Sequence, residues 1–165
     1  MSWPFEKLGA ICHINPKLPK DSNESQNVSF LSMSSVSEKG KILDQEIRVL
    51  SETKKGFTYF ERGDILLAKI TPCFENGKAV FTSDLKNLIG YGSTEFHVLR
   101  PIQGISDGKY LFYLVWNDSF RHYGQHAMKG AAGQKRISSD FLKNYKIPLP
   151  PLPVKWIPLS RQIMP

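Results

Sequence analysis

Cysteine is scarce in this sequence: Cys12 and Cys73 are the only two in 165 residues, and they lie far apart. Neither has a second Cys or a His pair at ligand spacing, so no zinc pattern exists, and both read as reduced thiols rather than a disulfide. Long apolar runs are missing as well. The longest, Tyr110 to Trp116, falls far short of the ~20 residues of a membrane span. The opening Met-Ser-Trp-Pro-Phe-Glu-Lys has no apolar stretch behind a basic segment. No signal peptide is therefore expected, the expected location is cytoplasmic, and no membrane partner is implied. Carboxylates do not cluster: Asp64 and Glu75 stand alone, which argues against a metal-dependent nuclease or an acid–base hydrolase. Of His13, His97, His122 and His126, only His122/His126 share a helical i, i+4 spacing, and no third ligand lies near them. They read as a helix-face coincidence, so the expectation is no metal and no catalytic residue. Internal repeats and low-complexity segments are absent.

What is present suits one domain. Apolar residues make up 41% and charged residues 22%, enough to build a single core in a chain of this length. Basic residues exceed acidic ones by seven, and the excess is uneven. Residues 1–100 hold 13 Lys/Arg against 12 Asp/Glu, whereas residues 101–165 hold 9 against 3. A basic half fits a polyanionic partner, and it fits an ordinary solvated surface equally well.

Patterning alternates between strand and helix. Trp3, Phe5, Leu8, Ile11 and Ile14 open the fold as a short helix or strand, and residues 15–27 read as a loop rich in Pro, Asn and Ser. Val28 to Met33 is a strand candidate, and Ile42 to Leu50 a short helix or extended piece. Phe57, Tyr59 and Phe60 precede the turn Arg62-Gly63-Asp64. Ile65 to Ile70 follows as a nearly continuous apolar run, the mark of a strand buried on both faces, and Thr71-Pro72 ends it. Lys78 to Thr82 and Thr94 to Leu99 are two further strands, with Gly90-Tyr91-Gly92-Ser93 between them as a flexible, polar link. Ser106 is placed to cap a helix carrying Tyr110, Leu111, Leu114 and Val115 on one face. Asn117 or Asp118 caps a second helix with Phe120, Tyr123 and Ala127 inward. A Gly-rich basic loop, Met128 to Arg136, leads to a short helix capped by Ser138 or Ser139, then to a strand at Tyr145 to Ile147. The fold class expected is mixed α/β (α+β), with a mixed, curved sheet and a few short helices.

Four segments in order carry a resemblance. GDILLAKITPCFENGK (Gly63 to Lys78), Gly92-Ser93-Thr94-Glu95-Phe96, the loop Gly130 to Ser138, and Ile147-Pro148-Leu149-Pro150-Pro151-Leu152 resemble the DNA target-recognition domain of type I restriction–modification specificity subunits. The resemblance spans about residues 3–152. It implies a non-enzymatic domain at 1–152 that reads one half of a split duplex DNA sequence. Such subunits carry two such domains, and long helices after each pair with one another. The implied partners are double-stranded DNA, a modification (methyltransferase) subunit that methylates adenine, a restriction subunit, and a second specificity half-subunit. S-adenosylmethionine, ATP and Mg are implied only for those partner subunits. After Leu152 the sequence departs from the family's Gln-rich amphipathic helix. Pro153, Pro158 and Pro165 exclude a long helix there, so residues 153–165 are expected to be a Pro-rich tail that lacks the spacer helix.

Physical chemistry suggests which residues would touch DNA. Cations and amides hold phosphates, and polar side chains meet base edges. In the Gly-rich loop, Lys129, Lys135 and Arg136 supply charge, and Gln134 and Arg136 have the shapes that pair with adenine and guanine. Lys69, Thr71, Asn76 and Lys78 lie on or beyond an apolar strand, where a lysine is costly unless it reaches water or a partner. Ser93, Thr94 and Glu95 complete the set, Glu95 as an acceptor for cytosine. Gly63, Asp64 and Pro72 are expected to be structural, and Tyr91 and Tyr123 to pack in the core. Two rivals remain. A DNA methyltransferase fragment would use Thr71-Pro72-Cys73-Phe74, but no Gly-rich cofactor loop precedes it. A general basic nucleic-acid or protein interaction module is the other, although the aromatic signatures of RNA-recognition domains are missing.

Overall fold

A computed structural model of the chain describes residues 2–151. The expected 153–165 tail lies outside them. The strands form two four-stranded sheets and a two-stranded ribbon, none closed into a barrel. The first sheet has the order β2 (Cys12–Ile14), β9 (Phe96–Pro101), β6 (Ile65–Ala68), β7 (Ala79–Phe81), all antiparallel. In the second, β4 (Glu46–Val49), β3 (Asn27–Leu31), β8 (Ile89–Gly92) and β5 (Thr58–Glu61) lie side by side, with β3 and β8 parallel. The ribbon pairs β1 (Phe5–Lys7) with β10 (Lys146–Pro148) and so ties the two ends of the described chain together. Five short helices complete the mixed α/β fold: α1 (Leu8–Ile11), α2 (Leu50–Thr53), α3 (Gly108–Trp116), α4 (Asp118–Ala127) and α5 (Ser139–Asn144).

Strand β6 explains the layering. Its four residues are all buried, as its unbroken apolar run predicts. Ile65 and Leu67 face a cluster that includes Leu111, Val115 and Phe120 of α3 and α4. Leu66 packs on the opposite side with Leu31, Phe60 and Val98. The period of two thus places the first sheet between a helical layer and the second sheet.

Strand β8 departs from the sequence reading, which made Gly90 to Ser93 a flexible link. Ile89 to Gly92 is an inner strand, buried throughout. Its glycines serve close packing rather than mobility. A Cβ on Gly90 would lie 2.2 Å from the Phe60 ring, and one on Gly92 2.4 Å from the Leu31 carbonyl oxygen. Phe60, fully buried, lies across this gap and contributes roughly 1.5–3 kcal/mol of burial.

The helices start close to where the sequence placed them, with corrected caps. Asp107, not Ser106, caps α3 by accepting from the Tyr110 amide at 3.0 Å. Ser106 instead donates to the Ile11 carbonyl at 2.5 Å. Asn117 caps α4 and Ser138 caps α5. Tyr123 is 61% exposed, contrary to the inward face expected for it. The core side of α4 is formed by Phe120 and by Gly124, where a Cβ would sit 2.4 Å from the Phe74 ring. Among the described residues, no helix is long and apolar enough to cross a membrane.

Asp64 is structural, as expected. It is 2% exposed and accepts Nε and Nη2 of Arg100, each at 2.9 Å, and the Glu61 amide at 2.7 Å. Burial pushes its carboxyl up, while Arg100 and that amide pull it down. Gly63 takes the left-handed conformation in the turn before it (φ 96°). Both cysteines are free thiols. Burial pushes the Cys12 thiol up to about 12, which leaves it inert.

Candidate nucleic-acid interface

The chain leaves β6 at Lys69 and keeps extended pairing for three more residues. On one side the Lys69 amide donates to the Glu95 carbonyl at 2.8 Å. On the other, the Ile137 amide donates to the Lys69 carbonyl and the Thr71 amide to the Lys135 carbonyl, each at 2.9 Å. Three stretches far apart in sequence are thereby joined into one edge: 69–71, 93–95 and 129–137. Lys129 and Arg136 exchange backbone hydrogen bonds at 3.1 and 2.9 Å, which closes the Gly-rich segment into a hairpin-like loop. At its tip the Gln134 amide donates to the Ala131 carbonyl at 2.9 Å. Gly130 permits the closure, because a Cβ there would come within 2.8 Å of the Gln134 carbonyl oxygen.

The motif around Pro72 anchors this edge from below. Phe74 is fully buried and packs on Phe120 at a ring separation of 5.9 Å. The Phe74 and Asn76 amides donate to the Ile70 and Pro72 carbonyls, winding residues 72–77 into a compact turn. Its strongest sequence signal is therefore architectural. Among the described residues no three His, Cys, Asp or Glu side chains come together as a metal site.

The candidate side chains divide into three groups. Lys129, Gln134, Lys135, Asn76 and Thr94 are exposed. Lys129, Gln134 and Lys135 share the loop and present two cations and an amide to solvent.

Arg136 and Glu95 form a second group, tied to each other. Arg136 donates Nε to both Glu95 oxygens at 3.1 and 2.9 Å and Nη2 to Oε1 at 2.8 Å. Its Nη1 donates to the Gln134 carbonyl at 3.2 Å. The fork that would meet guanine is already filled, and Glu95 is likewise committed. The Arg136 hydrogen bonds hold the Glu95 carboxyl below its ordinary range against the opposing effect of burial. This pair pins the base of the loop to the start of β9.

The remaining residues serve local structure or face another way. Lys78 donates to the Met33 carbonyl at 3.1 Å, away from the loop. Ser93 accepts the Glu95 amide at 3.1 Å and shapes the bend before β9. Thr71 donates to Glu75. Lys69 is half-buried and lines a separate cleft under the same edge.

Sequence reading did not single out the groove beside the loop. It has a volume of about 550 Å³ and is lined by Thr71, Glu75, Gln125, His126, Met128 and Lys135 among others. Glu75 Oε1 is buried there without a hydrogen-bond partner among the described residues. Gln125 and His126 arrive from the last turn of α4. Their place at the helix end directly before the Gly-rich loop was the available signal.

A family model described as the type I restriction modification DNA specificity domain matches residues 2–157. The chain is 45% identical over 151 residues to the EcoAI type I restriction enzyme specificity subunit of Escherichia coli, and 44% over 150 residues to the EcoEI subunit of the same organism. These alignments cover 91% and 90% of this chain but 26% and 25% of the two subunits. The chain thus spans about a quarter of the length of these relatives. Among solved structures, the HsdS subunit from Thermoanaerobacter tengcongensis shares the fold with a TM-score of 0.68 at 21% identity, over 92% of this chain and 38% of that one. A chain from a structure of complex assembly and conformational transition in the type I R-M system does so with a TM-score of 0.67 at 24% identity, over 92% of this chain and 38% of that one.

Proposed function

Because this chain belongs to the type I restriction–modification DNA specificity domain family, we propose that it binds duplex DNA sequence-specifically, reads one half-site, and carries out no chemistry itself. One observation carries this reading. The backbone joins the 69–71, 93–95 and 129–137 stretches into one edge, and that edge presents the exposed Lys129, Gln134 and Lys135. Lysines attract phosphates whatever the sequence, and the Gln134 amide has the donor–acceptor pair that matches adenine in the major groove. The Glu95–Arg136 pair is assigned to holding the loop in place for them.

Methylation and cleavage are assigned to partners: a modification subunit using S-adenosylmethionine and a restriction subunit using ATP and Mg. A second specificity half-subunit would supply the other half-site. The test is a salt titration of the purified chain on duplex DNA, single-stranded DNA and RNA. The reading expects one short duplex sequence to bind above a salt-sensitive background. Equal binding to all three polymers would favour a general basic module, and S-adenosylmethionine binding by the chain alone would favour a methyltransferase fragment.

A further inference from the structure

A cleft of about 330 Å³ opens between the two four-stranded sheets, beneath the edge that carries the Gly-rich loop. Lys69 and Phe96 line it from the first sheet, and Tyr59 and Tyr91 from the second. Lys17 and Phe57 come from the loops at its rim. Among the described residues, no aspartate or glutamate lines it.

Three groups in the cleft have no partner among the described residues. Lys17 is exposed and Lys69 half-buried, and neither ammonium makes a hydrogen bond or ion pair. Glu95 attracts Lys69 from nearby, but its oxygens are taken by Arg136. Tyr91 is 2% exposed, yet its hydroxyl makes no hydrogen bond. The ring is buried but the oxygen is not among the buried atoms left without a partner, so the hydroxyl meets solvent in the cleft and is free to donate to an acceptor bound there. The third lysine, Lys54, is already paired with Glu24. Two ammoniums without a hydrogen-bonded or ion-paired partner and a hydroxyl line one cleft whose described lining holds no carboxylate. That set calls for an anion with several acceptor oxygens. Phe57, 39% exposed at the rim, offers an apolar surface beside it.

We propose that this cleft seats a phosphate of the DNA backbone, held by Lys69, Lys17 and the Tyr91 hydroxyl, and so fixes the register of the duplex beneath the Gly-rich loop. The proposal rests on the DNA-binding reading above. Register follows because Lys69 is shared: its backbone holds Glu95 and Ile137, and its side chain enters the cleft.

The full chain and its variants K17Q, K69M and Y91F are titrated at several salt concentrations, on the best-bound duplex and on an unrelated one. K17Q and K69M are each expected to lower the slope of log affinity against log salt by about one, and to weaken both duplexes equally. Y91F is expected to weaken binding about tenfold with the slope unchanged, since it removes a neutral donor to a charged acceptor. Lys17 lies in an exposed loop, so K17Q keeps the comparison valid even if K69M fails to fold. Unchanged slopes and affinities in variants of a chain that binds duplex overturn the cleft assignment and leave the DNA reading intact. Failure of the wild-type chain to bind any duplex overturns both. Chemical shifts at Tyr91 that respond to inorganic phosphate alone, with DNA slopes unchanged, also overturn it, by assigning the cleft to a free anion.

Discussion

His97 is buried between two segments that the interface depends on. Asn15 Oδ1 accepts the Val98 amide at 2.8 Å, which turns its Nδ2 toward His97 Nδ1 at 3.2 Å. Nδ1 must therefore accept, so Nε2 carries the proton and donates to the Ile137 carbonyl at 2.7 Å. Burial pushes the imidazole below its ordinary value, with the Ile137 bond opposing. The unfolded chain then takes up this proton more readily than the folded one. The stability contributed by neutral His97 is complete above about pH 6.5 and is lost as pH falls through the depressed folded value. Thermal melts from pH 8 to pH 5.5 should show the wild-type midpoint dropping below pH 6.5, and H97Q should melt lower at pH 8 with a flatter profile. Asp64 makes a second prediction at this scale. D64A leaves the Arg100 guanidinium without its bidentate partner and should cost about 2–3 kcal/mol in urea denaturation, somewhat under a fully buried pair because Arg100 keeps some solvent. The structural role of Asp64 was legible in its turn sequence. Its Arg100 partner was not, because pairing over 36 residues leaves no local pattern. Tyr123 was misplaced for the opposite reason: a helical face was read as three positions wide, whereas Phe74 reaches in and the small Gly124 receives it.

Among the elements, those with a strong period were legible. The apolar run of β6 and the Tyr110, Leu111, Leu114, Val115 face of α3 appear where the sequence put them. Strand β8 was missed because Gly-Tyr-Gly-Ser carries the composition of a turn. Only its three-dimensional neighbours, Phe60 and Leu31, give those glycines a strand role. G90A should therefore cost about 1–3 kcal/mol through overpacking against Phe60, measured by chemical denaturation. A result near zero would mean that the ring has room to move. The Gly-rich loop was legible as a loop but not its anchor, since Glu95 and Arg136 are 41 residues apart. E95Q should leave the melting midpoint nearly unchanged while speeding amide hydrogen exchange at Lys129 and Arg136. Unchanged exchange there would show that backbone bonds alone hold the loop.

For the whole molecule, the uneven charge noted in the sequence acquires a location. Lys129, Lys135 and Arg136 come from the basic half, and Glu95 from the balanced half cancels Arg136. K129A with K135A should reduce the salt slope by about two and weaken all duplexes alike. Q134A should instead change which base is preferred at one position, by about 1–3 kcal/mol of discrimination. Mixed α/β architecture and family were readable because motif order is a linear property. Which side chains are free and which are already paired was not, because that depends on contacts between stretches the fold alone brings together. The most direct test of the account is selection by the purified chain from a random duplex library at near-physiological salt. It predicts enrichment of one short sequence bound roughly a thousandfold or more above bulk duplex. A selected pool no tighter than the starting library would contradict it.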